Sequence, residues 1–106
     1  MNLTEHLLTC LAEECAEVTK NAAKSLRFGL LDTNALTPHG PDNTERLVAE
    51  LNDLMGILFM LVQHGILPAD WQDSAAQSAK VRKVQEYMDY AACRGALQAG
   101  VEGREL

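Results

Sequence analysis

Four acidic residues in this chain fall at spacings that suit metal chemistry. Glu14 and Glu17 are three apart in Glu13-Glu14-Cys15-Ala16-Glu17, and Glu50 and Asp53 are three apart in Glu50-Leu51-Asn52-Asp53. Residues three apart on a helix are neighbours on its surface, so each pair forms a two-carboxylate claw. Two like charges about 5 Å apart repel by roughly 3 kcal/mol at an effective dielectric near 20. Four converging carboxylates must therefore hold protons or cations. At neutral pH a hard divalent cation answers that need. An all-oxygen donor set suits Mg²⁺, Mn²⁺ or Ca²⁺, and Mg²⁺ commonly completes its shell with water and substrate phosphates.

Either pair alone is more often a solvated helix face than a site. What singles them out is phase. Leu3, Leu7, Leu11 and Val18 recur at helical steps, the pattern of an amphipathic helix with a core-facing stripe. Glu14 lies roughly 20–60° from Leu7, Leu11 and Val18 on a helical wheel, with Glu17 at the stripe's edge and Glu13 further round. In the second segment Leu47, Leu54, Ile57 and Leu61 form a stripe, with Glu50 in its middle and Asp53 about 60° to one side. Both claws are expected to face inward, where an unpartnered ion costs several kcal/mol.

The elements that must carry these residues are helices. Asn2 with Glu5 resembles a capping box opening a first helix that runs to about Arg27, before Gly29. The stretch 28–43 holds Gly29, Pro38, Gly40 and Pro41 without periodicity, which predicts a loop of about 15 residues, functional or mobile at that length. Asp42 with Glu45 opens a second helix to His64, with Gly65 as its stop. The segment from Leu47 to Val62 is apolar enough to be buried on more than one side. A third helix is expected from near Asp70 to about Cys93, with Ala76, Ala79, Val84, Tyr87, Met88 and Ala91 facing inward. The tail containing Gly100 and Gly103 adds at most a short, fraying helix. The expected fold is all-α: one domain over 1–106, an antiparallel bundle of three to four helices completed by oligomerisation, since 106 residues give only a modest core.

Composition narrows the function. A formal charge of −6 disfavours binding to a nucleic-acid polymer, which needs an electropositive footprint. No apolar run reaches the 18 or so residues of a membrane span, and the start MNLTEHLLTC lacks a basic leader region, so a cytoplasmic protein without a membrane partner is expected. Cys10, Cys15 and Cys93 show no C-x-x-C spacing and read as reduced thiols, the first two packing as small apolar residues. Neither claw carries a histidine three residues after its glutamates, unlike a ferritin-like di-iron centre.

The order E-E-x-x-E, a loop, then E-L-N-D inside an apolar helix resembles the MazG-like all-α nucleoside triphosphate pyrophosphohydrolases, whose signature is ExxE followed by ExxD. The resemblance spans roughly residues 5–92 and includes the basic stretch from Lys80 to Tyr90. The gap between the acid pairs is longer than in many members, because a loop containing Thr37-Pro38-His39-Gly40-Pro41 intervenes. The resemblance implies hydrolysis of a (deoxy)nucleoside triphosphate to the monophosphate and pyrophosphate, with Glu14, Glu17, Glu50 and Asp53 as catalytic metal ligands for Mg²⁺, or Mn²⁺ in its place. Phosphate oxygens not held by metal need cations. Lys24 and Arg27 follow Glu17 along the first helix, and Lys80 and Lys83 share a face of the third, so these four are the substrate-binding candidates. The resemblance also implies a homodimer or homotetramer. The alternative from another class is a non-catalytic dimeric helical scaffold or a nucleotide-binding regulator.

Overall fold

A computed structural model describes residues 1–98. Three helices account for most of them, α1 (Leu3–Phe28), α2 (Asn43–Gln63) and α3 (Ser74–Cys93), and no strand occurs among the described residues. The chain forms two compact units, Met1–Ala69 and a second beginning at Asp70. The short tail helix considered from sequence lies outside the described residues.

Local signals explain the ends of α1 and α2. The Asn2 side chain accepts from the Glu5 backbone N–H at 2.8 Å and donates to its carboxylate at 2.9 Å, satisfying donors that a helix start leaves orphaned. Gly29 closes α1 at φ 96°, a conformation costly for any residue with a Cβ. Asp42 and Glu45 form the reciprocal capping box expected of them. Beyond α2, Gly65 at φ 70° allows Ile66 N–H to reach back to the Leu61 carbonyl at 2.8 Å, a left-handed stop.

In the first unit α2 packs on α1, and the C-terminal end of α1 meets the start of α2 where Asn43 Nδ2 donates to the Gly29 carbonyl at 2.9 Å. The two helices therefore form a hairpin. Leu7, near the start of α1, and Leu61, near the end of α2, are buried, with Leu11, Val18, Leu47, Leu54 and Ile57 half-buried along the expected stripes. An adjoining apolar side of α2 is uncovered: Val48, Leu51, Met55 and Phe59 are 44–63% exposed.

The 29–42 connection is hydrogen-bonded along its length rather than loose. Asn34 adopts φ 99°, and its side chain accepts from Leu36 N–H at 2.9 Å, the local bond that makes this conformation tolerable for Asn. Thr33 donates to the Pro38 carbonyl, and Arg46 of α2 donates to the Thr33 carbonyl at 3.0 Å.

The second unit departs from expectation in two ways. Helix α3 starts at Ser74 with Asp73 as its cap, four residues later than near Asp70, because Asp73 supplies the side-chain acceptor that a start requires. Its expected inward residues are not buried within the chain: Ala76, Ala79, Val84, Tyr87 and Met88 are exposed and only Ala91 is half-covered. Alanine-rich periodicity specifies a face without supplying what covers it. Cys15 likewise is exposed, while Cys10 is half-buried; all three cysteines are free.

Candidate metal centre

The site is built by the α1–α2 hairpin. Glu14 extends the apolar stripe of α1 two turns beyond buried Leu7, and Glu50 interrupts that of α2 between Leu47 and Leu54, so packing the stripes together forces the carboxylates together. Oxygens of Glu14, Glu50 and Asp53 lie within 4.8 Å of one another. Glu14 and Glu50 are half-buried as expected, whereas Asp53, also expected to face inward, is exposed, because its place about 60° off the apolar stripe leaves it at the rim.

Glu14 is the strained member. Its Oε2 is buried without a hydrogen-bond partner among the described residues, an uncommon state for a buried polar atom that calls for a proton or an ion. Its carboxyl is pushed above the usual range, first by desolvation and then by the charges of Asp53, Glu50, Glu17 and Glu13. Both causes disfavour the ionised form, and a divalent cation would reverse both. The donor set of three carboxylates fits a hard cation such as Mg²⁺ or Mn²⁺.

Glu17 is half-buried and stands outside the triangle, close enough for its charge to act on Glu14. Glu13 is exposed. Lys24 lines a cleft of about 340 Å³ at the loop end of the hairpin, with Phe28, Asp32, Asn34, Asn43 and Arg46. Arg27 is exposed, its guanidinium 5.0 Å from the centroid of the Phe28 ring. Lys80 and Lys83 are exposed residues of α3, in the second unit.

Sequence reasoning passed over three polar residues of the hairpin. Asn21 is buried and bonded to the Glu17 carbonyl, Asn43 is buried at the start of α2, and Arg46 ties α2 to the loop. Their signal was heptad spacing: Asn21 follows Glu14 by seven residues, Asn43 precedes Glu50 by seven, and Arg46 precedes Asp53 by seven, which puts each on the face of the acid it accompanies.

No family model matches the chain, and no curated protein or solved structure matches it either.

Proposed function

We propose that the protein is a Mg²⁺-dependent pyrophosphohydrolase of the MazG-like kind, converting a (deoxy)nucleoside triphosphate to its monophosphate and pyrophosphate. The observation that carries this is the triangle of half-buried Glu14 and Glu50 with exposed Asp53, in which one Glu14 oxygen is buried without a partner. The ExxE and ExxD pairs supply its members in the order of that superfamily's signature.

Glu14, Glu50 and Asp53 would hold the cation. When bound, it neutralises phosphate charge and acts as a Lewis acid toward the triphosphate. Glu17, on the next turn of α1, accepts the proton as water attacks the α-phosphorus, forming one P–O bond while the bridging bond to pyrophosphate breaks. Lys24 offers a charge to phosphate oxygens that the cation leaves bare. Lys80 and Lys83 keep the substrate-binding role that the resemblance gives them.

The assembly in this reading is a homodimer or a homotetramer. Val48, Leu51, Met55 and Phe59 repeat at steps of three and four along α2 and are exposed together. Contiguous apolar stripes of this kind mark protein interfaces. A second copy laying the same stripe antiparallel against the first completes a four-helix core. The same stripe favours a second reading, in which the chain is a dimeric scaffold without turnover.

Incubation with a panel of natural and modified dNTPs and Mg²⁺ separates the two. The enzyme releases pyrophosphate from at least one nucleotide, and Glu50→Gln suppresses that release while the protein stays folded. Absence of pyrophosphate from every nucleotide, with folded protein, removes the hydrolase and leaves the scaffold.

A further inference from the structure

The cleft at the loop end of the hairpin is separate from the acid triangle but lies along the same pair of helices. Lys24 follows Glu17 by two turns of α1, about 10 Å, and Arg46 precedes Glu50 by one turn of α2, about 6 Å. Its wall includes Asp32 and Asn34, residues of the connection between the two acid pairs. At about 340 Å³ it falls at the small end of small-molecule sites, a size for one ring system and a sugar rather than a polymer.

Its chemistry is specific. Phe28 lines the cleft and is 58% exposed, and the Arg27 guanidinium, which does not line the cleft, lies 5.0 Å from the ring centroid over one face. The Asn34 oxygen is engaged by Leu36 N–H, which leaves the side-chain N–H₂ to donate. Asp32 accepts. An acceptor and a donor beside an aromatic face complement the edge of a nucleobase, which presents both kinds of group. Arg46 spends one N–H on the Thr33 carbonyl and keeps further donors, and half-buried Lys24 adds a second positive charge.

We infer that this cleft binds the nucleoside monophosphate portion of a nucleotide, the base stacking on Phe28 with its edge on Asp32 and Asn34, and the adjoining phosphate on Lys24 and Arg46. The choice of a nucleotide rests on the pyrophosphohydrolase reading, since a triphosphate anchored at the acid triangle extends its base along the helix pair. The loop between the acid pairs then selects the base.

The test uses the full chain in EDTA, with dAMP, dCMP, dGMP, dTMP and dUMP as probes and amide NMR shifts as the readout. At least one monophosphate should move resonances within residues 24–46, and Phe28→Ala should weaken its binding by about tenfold or more, as loss of base stacking does. Because the Phe28 side chain is largely exposed, its removal leaves the hairpin core intact. In turnover assays the same substitution should raise KM more than it lowers kcat. Shifts confined to other residues, no shifts with any of the five, or unchanged affinity in Phe28→Ala would overturn the assignment. Metal-free binding does not depend on catalysis, so a chain that binds a monophosphate here yet hydrolyses nothing defeats the hydrolase and spares the cleft.

Discussion

Replacing Glu50 by Gln tests the metal centre most directly, because it removes one of three carboxylates that crowd within 4.8 Å without altering side-chain size. A cation that binds only the folded state at a hundred times its dissociation constant stabilises by about 2.7 kcal/mol. For a domain of this size that raises Tm by about 10–20 °C. Loss of groups that merely support a metal ligand weakens affinity by about 10–100-fold, so loss of a ligand should cost at least that. At the same Mg²⁺ concentration a hundredfold weaker site leaves about 0.4 kcal/mol, or roughly 2–3 °C. In EDTA the order reverses. The Glu50→Gln substitution removes a repelling charge, so the metal-free variant should melt at or above wild type. Differential scanning fluorimetry with Mg²⁺ and Mn²⁺ titrations of wild type, Glu14→Gln and Glu50→Gln measures each arm. Equal metal-induced shifts in all three proteins, or none in wild type, would refute the convergence of these acids on a cation.

Glu17→Gln should lower kcat while retaining most of the Mg²⁺-induced rise in Tm, because Glu17 lies outside the triangle; comparing turnover with melting checks this. The raised Glu14 pKa gives the metal-free protein a pH signature. The folded state holds that proton more tightly than the unfolded state, so the favourable contribution is complete below the ordinary value of 4.5 and is lost as pH rises through the raised value. Melting in EDTA across that range should decline with pH, and Glu14→Gln should flatten the decline. Leu61→Ala, at a site only 1% exposed, should cost about 2–5 kcal/mol in chemical denaturation. Phe59→Asp, on the exposed stripe of α2, should convert an assembly of at least twice the 11.6 kDa chain to monomer by light scattering, and a monomeric wild type would contradict the proposed assembly.

Much of the hairpin was legible in the residues because its determinants are local. The Asp42–Glu45 box, the Asn2 cap and the glycines at 29 and 65 satisfy or release backbone groups within a few positions of themselves, so they mark helix ends wherever the helices go. The phase of Glu14 and Glu50 within two apolar stripes was equally readable, since the helical repeat alone fixes which side chains share a face.

Tertiary structure decided the rest. Only packing of α1 on α2 leaves Glu17 outside the triangle that Asp53 enters, because a three-residue offset does not say which carboxylate reaches across an interhelical gap. Only the folded connection brings Asp32 and Asn34 beside Lys24 and Phe28; an aperiodic loop carries no spacing rule from which to foresee that cleft. The same limit explains α3. Its amphipathic pattern named an inward face from Ala76 to Ala91, yet most of that face is exposed, since periodicity orients a helix toward an apolar partner but cannot provide one. By itself, then, the sequence determined where the helices begin and end and which acids share their apolar faces, through bonds and angles reaching no further than a turn. Which of those acids meet, and what surface stays bare, depended on contacts between residues distant along the chain.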